Sequence, residues 1–214
     1  SLSAYGQDIL TLTLTGAAVD SPVKLSVSSS CAAAGKATVS PASISATSNT
    51  VTLQYRDNGC GAIQPSDLLQ VVVDGTSTAK QLTLPIDAPS ASSIAFISSV
   101  PEQIFLKGSG FTESSVVTFE VRDAAGNTLP NKSVDLKLLT AAGGVTMQGG
   151  LGVGASYTTQ SHANGRVSVQ VNSGTQPTPV RIQATLSGTT ISTVSSNLSV
   201  SIGLPSQVNF SMSQ

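Results

Sequence analysis

The sequence predicts an all-β chain built as two tandem β-sandwiches followed by the first strand of a third, and three observations predict it. Apolar residues recur at every second position in short runs along the whole chain, which is the period of half-buried strands. Clusters of Gly, Asn, Asp and Pro interrupt these runs at intervals of about 8 to 12 residues, the spacing of a sandwich. The same grammar lies on both sides of Pro85–Ser93, a Pro-, Ala- and Ser-rich stretch with the composition of a short, stiff linker. The domains are therefore expected at residues 1–88 and 89–202.

In the first domain, residues 1 to 7 read as lead-in. Leu10, Leu12 and Leu14 alternate with Thr11 and Thr13 in a strand that Gly16 ends, and Val23, Leu25 and Val27 make the next. Ser28 to Lys36 is a small-residue loop carrying Cys31, followed by a short apolar return near Val39 that Pro41 limits. Val51, Leu53 and Tyr55 form a further strand, and Asp57-Asn-Gly59 turns the chain directly before Cys60. Leu69, Val71 and Val73 follow, Asp74-Gly75 turns again, and Leu82, Leu84 and Ile86 complete the set.

The second domain begins with Ile94 and Phe96 and passes through Lys107-Gly-Ser-Gly110 into a predicted hairpin. There, Val117, Phe119 and Val121 alternate with polar residues, as do Val134, Leu136 and Leu138, and Asp123 to Asn131 supplies the chemistry of a reversing connection. A Gly-rich stretch, Gly143 to Gly154, precedes Tyr157-Thr-Thr-Gln and the turn Ser161-His-Ala-Asn-Gly165. Val167, Val169 and Val171 form one strand; Val180, Ile182, Ala184 and Leu186 another; Gly188 turns; Leu198, Val200 and Ile202 close the unit. Pro89-Ser-Ala-Ser-Ser-Ile-Ala-Phe is echoed by Pro205-Ser-Gln-Val-Asn-Phe, so residues 203–214 are expected to start a following module, with the parent chain continuing past Gln214.

Composition removes several functions. Only 10% of the 214 residues are charged and the formal net charge is −1, leaving no basic stripe to release counterions from nucleic acid or to hold a membrane surface. With 39% hydrophobic residues, the chain has enough apolar surface for two modest cores. No apolar run reaches the roughly 18 residues of a membrane span, and no charged-then-apolar leader opens the chain, which reads as a piece of a longer exported protein. Cys31 and Cys60 are the only cysteines and fit one disulfide better than a metal site, which draws on four close ligands. Closing that loop is worth roughly 3 to 4 kcal/mol in the chain-entropy model and implies an oxidising compartment.

Candidate sites are few. His162 is the only histidine and the only obvious general base near neutral pH, but it sits in a predicted exposed turn with no serine or cysteine tied to it by a motif. Gly149-Gly-Leu-Gly-Val-Gly154 lacks the following helix that a phosphate loop requires. Asp57, Asp74, Asp87 and Asp123 fall at turns or in the linker, where capping of turn amides competes with calcium binding. Asp87, in the expected linker, is the weak metal candidate, with calcium as its ion; no other cofactor is expected. Tyr5, Tyr55 and Tyr157 read as strand residues, and 4% aromatic residues with no Trp make a poor platform for stacking sugars. Asn131-Lys-Ser133, Asn197-Leu-Ser199 and Asn209-Phe-Ser211 match the N-glycosylation acceptor, which matters only in a eukaryotic source.

Residues 116–202, through FEVRDAAGNTLPNKSVDLKL, TTQSHANGRVSVQV, RIQATLSG and NLSVSIG, resemble the bacterial immunoglobulin-like modules of the invasin and intimin type. The pattern departs from that family at Gln160-Ser-His162, where an Asp-Ala-Asn-Gly turn is usual, and residues 8–88 match only as a divergent, disulfide-bearing relative. The resemblance implies tandem immunoglobulin-like sandwiches acting as a non-enzymatic structural and adhesive segment. It implies an extracellular place on the bacterial surface, on an outer membrane-anchored parent, or in the periplasm. The partners it implies are neighbouring modules of the same chain and a host or cell-surface protein or glycan, with no nucleic acid and no direct membrane contact. A ligand-binding module working through the Cys31 loop or the Gly143 to Gly154 loop is the rival, and accessory domains of a secreted enzyme are a third reading.

Overall fold

The computed structural model describes residues 1–15 and 21–203. The chain divides into two compact units, Ser1–Pro89 and Ser90–Gln214. Gly16 and, beyond Gly203, the expected start of a following module lie outside the described residues.

The first unit contains β1 (Leu2–Ser3), β2 (Gln7–Thr13), β3 (Val23–Ser29), α1 (Ser30–Ala33), β4 (Ala37–Ser40), β5 (Ser43–Ala46), β6 (Thr50–Asp57), β7 (Ser66–Val73) and β8 (Ala79–Asp87). They form two sheets, in the orders β1-β8-β7-β3-β5 and β2-β6-β4. Strict alternation places Leu25 and Val27 of β3, Leu53 and Tyr55 of β6, and Leu69 of β7 inside, as the two-residue period requires. One apolar cluster gathers Tyr55, Leu69, Leu84, Ile86 and both cysteines; a second gathers Leu25, Val27, Ile44, Ala46 and Leu53.

Several expectations change here. The lead-in contains β1, whose Leu2 is buried and pairs in parallel with Ile86. Ser28 to Lys36 holds a helical turn, because the Ser29 hydroxyl accepts from Ala32 N at 2.9 Å and so caps it. Ser43-Ile-Ser-Ala46 is a strand whose small residues gave too little alternation to detect. Pro85, Ile86 and Asp87 end β8 and are not linker. Tyr5 lies in the turn between β1 and β2 at φ +60°, not in a strand.

The second unit comprises β9 (Ser93–Val100), β10 (Gln103–Phe105), β11 (Ser114–Arg122), β12 (Ser133–Thr140), β13 (Thr146–Met147), β14 (Ser156–Gln160), β15 (Arg166–Asn172), β16 (Thr178–Pro179), β17 (Arg181–Leu186), β18 (Ser192–Val194) and β19 (Ser199–Ser201). Two four-stranded sheets, β13-β15-β11-β9 and β14-β12-β17-β18, are joined by a small sheet β10-β19-β16. Phe119, Leu136, Leu138, Met147 and Ile182 are wholly enclosed in the core. Phe96 meets Phe119 edge-on, with ring centroids 5.9 Å apart. Ile202 follows the inward phase of Leu198 and Val200, yet lies past the end of β19 and is exposed.

The predicted hairpin across residues 116–139 is the main correction. β11 and β12 do not pair; they belong to facing sheets. The connection first folds back along β11, where Arg122 bridges Thr128 and Leu129 N donates to Val121 O. It then passes to the other sheet with Leu129 buried in the core. Asp123 accepts from Ala125 N and Asn127 N at 2.9 and 2.8 Å, and Ser161 Oγ donates to Leu129 O at 2.6 Å. The turn chemistry of the sequence is used, but to cross between sheets.

Gly165 sits beneath this crossing at φ +75°, and a Cβ there would stand 2.7 Å from Thr128 Cβ and 3.0 Å from Leu129 N. Gly165→Ala is expected to destabilise the second unit by about 2 to 3 kcal/mol, from left-handed strain and displacement of the crossing. Denaturant unfolding followed on the full chain checks this, and an unchanged midpoint would show that the crossing yields freely.

Candidate functional site

Asp67 is where the first unit concentrates its polar chemistry. It occupies β7 in phase with Leu69, so the strand turns a carboxylate inward, and its exposure is 0%. Such a group survives burial only with donors around it. Four converge: Ser29 Oγ, Ser30 Oγ at 2.6 Å, Cys31 N at 3.0 Å and Tyr55 OH at 2.9 Å. Burial pushes the Asp67 carboxyl up, but the bonds from Ser29, Ser30, Cys31 and Tyr55 outweigh it and hold the group below the usual carboxylate range. Burial first, and then the bond to Asp67, push the Tyr55 phenol well above its ordinary value.

Cys31, at α1, is joined to Cys60 by a disulfide, with Cα atoms 5.8 Å apart. Beside it Asp57, 1% exposed, gathers the amides of Gly59, Cys60 and Gly61 at 3.2, 2.6 and 3.3 Å, and that of Tyr5 at 2.6 Å. The turn after β6, the disulfide and the segment between β1 and β2 are thereby tied to one carboxylate. A shallow hollow of about 90 Å³ lies over the disulfide, lined by Ser30, Lys36, Ile63 and Gln64. The hydroxyls of Ser29 and Ser30 donate to Asp67, whose own bonds hold it below the usual carboxylate range and so make it a weak proton acceptor, and the arrangement reads as a clamp on the corner more than as an activated nucleophile.

In the second unit Glu120, 4% exposed, is held between two guanidiniums. Arg122 Nε donates to Oε1 at 2.7 Å and Arg166 Nε to Oε2 at 3.0 Å. Burial raises its carboxyl and the bonds from Arg166 and Arg122 more than reverse that, leaving it below the usual range. The sequence placed Glu120 on the polar face of β11 without distinguishing it from a solvated charge.

The other sequence candidates fall apart from one another. Asp87 is exposed at the end of β8 and accepts from Ser1 Oγ at 2.9 Å; Asp74 accepts from Ser26 Oγ at 3.0 Å. No three His, Cys, Asp or Glu side chains come together as a metal group among the described residues. His162 is exposed in the turn before β15, where its backbone N–H donates to Arg166 O. Tyr157 stands in β14. Asn131 and Asn197 take positive φ of 57° and 67°, and Asn209 lies outside the described residues. The Gly149 to Gly154 loop runs from β13 to β14 with no helix after it. It borders a polar cavity of about 480 Å³ with Lys107, Glu113, Asn172 and Ser173.

No family model and no curated protein matches the sequence. Among solved structures, the D0-D1 domain of intimin is similar at 13% identity, over 92% of this chain and 93% of that one, with a TM-score of 0.35. Invasin, described as a bacterial integrin-binding protein, is similar at 11% identity, over 92% of this chain and 39% of that one, with a TM-score of 0.48. A chimeric titin Z1Z2-Z1Z2 tandem is similar at 12% identity, over 95% and 94%, with a TM-score of 0.28. The likeness to intimin and invasin is one of fold.

The sign of the pH effect follows from Asp67. Its folded pKa is depressed, so its stabilisation is complete above the unfolded value near 3.9 and is lost as pH falls through the lower folded value. Asp67→Asn is expected to cost about 3 kcal/mol at neutral pH and to flatten the acid limb of the first unit's stability curve. Tyr55→Phe should cost about 1 to 3 kcal/mol. Thermal unfolding of the full chain between neutral pH and pH 2 measures both, and a D67N curve parallel to that of the parent down to the lowest pH would contradict the assignment.

Proposed function

We propose that this chain is a non-enzymatic structural and adhesive segment of a bacterial surface protein, in which tandem modules hold a binding region away from the cell. The carrying observation is that in each unit an early strand runs parallel to the last. β1 lies beside β8 through Leu2↔Ile86 and Ser3↔Asp87. β10 lies beside β19 through Gln103↔Ser199, Ile104↔Val200 and Phe105↔Ser201. In the first unit, tension on the two ends pulls β1 and β8 along their axes in opposite directions; in the second the load enters through β9, antiparallel to β11, and reaches the parallel β10–β19 pair after it. Their hydrogen bonds must then shear together, whereas an antiparallel terminal pair peels bond by bond.

The interior supports the same reading. Asp57, Asp67 and Glu120, the buried carboxylates among the described residues, are each satisfied by several local donors, which favours rigidity over chemistry. The disulfide suits an oxidising, extracellular place. The invasin- and intimin-like pattern of residues 116–202 supports a bacterial surface with a host or cell-surface protein or glycan as the eventual partner.

Pulling single molecules of the chain tests the proposal. Two separate unfolding events are expected, and reduction of the disulfide, which spans 29 residues of sequence separation, should lengthen the first unit's extension by about 100 Å at roughly 3.5 Å per residue. Unfolding of both units at the force of a peeled hairpin would sink it. Protease treatment of intact cells should release the protein from their surface.

One observation favours a second reading, ligand binding by the end loops. The cavity beside Gly149 and Gly150 is polar, and Ser173, one of its lining residues, is 5% exposed with no hydrogen-bond partner for Oγ among the described residues. Glycan or host-protein binding by the isolated chain, lost on shortening the Gly149 to Gly154 loop, would favour it over the spacer.

A further inference from the structure

The outer face of the sheet β13-β15-β11-β9 ends in a row of polar side chains. Ser114 of β11, Asn172 of β15 and Thr146 of β13 are direct cross-strand partners, Ser114↔Asn172 and Thr146↔Asn172, so all three project from one face. Their neighbours Ser115, Val171 and Met147 take the opposite phase and are buried. The hydrogen-bonding capacity of the row is unspent. Asn172 Oδ1 accepts from Gln170 Nε2 at 3.1 Å, which leaves the amide NH2 to donate, and among the described residues nothing bonds the hydroxyls of Ser114 and Thr146.

Two loops close this strip into the polar cavity of about 480 Å³. On one side Lys107 N donates to Gly174 O at 2.9 Å and Gly108 N donates to Glu113 Oε1 at 2.7 Å, so the loop from Lys107 to Glu113 is pinned at both ends. On the other, Gly144, Gly149 and Gly150 line the wall with backbone alone, each at a positive φ and each with open space where a Cβ would stand. A wall without side chains lets a ligand approach the backbone closely. At the floor Ser173 N donates to Glu113 O at 2.8 Å, while Ser173 Oγ is buried without a partner among the described residues. Lys107 is the one cation among the lining residues; it is exposed and forms no ion pair among the described residues.

We propose that this cavity binds an acidic saccharide, a chain of hydroxylated rings carrying carboxylates. The assignment deepens the end-loop ligand-binding reading given above and rests on it. Neighbouring side chains of the row stand about 5 Å apart, close to the advance from one pyranose ring to the next along an extended chain. Hydroxyls that donate and accept, with an amide between them, match sugar hydroxyls, which also do both. The unpaired ammonium beside them selects a carboxylate, because a charge-assisted bond is the strongest the site can make. Glu113 spends Oε1 on the Gly108 amide and leaves Oε2 for a sugar hydroxyl, so the acid of the ligand belongs at Lys107. The described lining residues include no aromatic ring. Hydrogen bonds and charge, and not stacking, hold the sugar, and a single site binds weakly.

Titration of the isotope-labelled full chain with trigalacturonate, followed through amide chemical shifts, tests this against the fully methyl-esterified trimer, which has the same rings without the charge. Shifts are expected at Lys107, Ser114, Thr146, Asn172 and Ser173, with a dissociation constant on the order of 1 mM and the ester weaker by about tenfold. Lys107→Gln should bring the acid down to the affinity of the ester and leave the ester unchanged, whereas Asn172→Ala should weaken both. Amides away from the cavity report that each variant keeps its fold. Equal binding of acid and ester, an acid affinity unmoved in K107Q, or shifts gathered elsewhere would overturn the assignment. If trigalacturonate leaves the spectrum unchanged while neutral maltotriose shifts the same amides, the acidic-sugar proposal fails and the end-loop reading stands. Silence with both probes overturns the proposal and leaves that reading without its cavity.

Discussion

A carboxylate placed inside a sandwich has to be met by donors or it unfolds the sandwich, and Asp67 imposes that requirement on the first unit. Meeting it fixes the end of β3, the start of α1, the Tyr55 phenol and the Cys31 amide around two oxygen atoms. With Cys31 held, the disulfide fixes Cys60, and Cys60 N donates to Asp57, which reaches the turn that enters β2. The chain from Tyr5 to Leu69 is in this way organised around a polar corner as much as around apolar contacts. In the second unit apolar enclosure does more of the work, and Glu120 with its two arginines adds a bonded charge on the side of β11 opposite Phe119 and Val121.

Much of the fold was legible because alternation is a direct record of burial. The phases of Leu25 and Val27, Leu53 and Tyr55, Val117 to Val121 and Val167 to Val171 all point inward as read. What failed has a physical cause in each case. The Asp123 to Asn131 turn encodes a reversal, but local chemistry does not say which sheet the chain enters next; that depends on Leu129 finding the core. Ser43-Ile-Ser-Ala46 has only one large apolar side chain to reveal it. Pro85 suggested a linker although β8 continues to Asp87.

The site was less legible than the fold. Asp67 and Asp57 sit in the inward phase of β7 and β6, and an acid in an apolar phase was a readable signal of a buried, bonded carboxylate. Asp57, legible as a turn acid, caps the amides of its own turn, whereas Asp87, legible as a linker acid that calcium could use, is a strand residue bonded to Ser1. The donors to Asp67 come from serines, whose abundance along the chain gave Ser29 and Ser30 no mark of their own.

The glycines at one end of the second unit divide into two kinds. A Cβ on Gly174 would lie 2.1 Å from Gly143 O, and one on Gly143 would lie 2.5 Å from Gln176 N, whereas those on Gly149, Gly150, Gly152 and Gly154 would meet nothing within 4 Å. Sequence drift is therefore closed at the first pair and open at the second set. Of these, Gly152 has an ordinary φ and accepts any side chain without backbone strain. A lineage diversifying this protein, or an engineer grafting an epitope, has in Gly152 a site for display whose variation leaves the packed module beneath it unaltered.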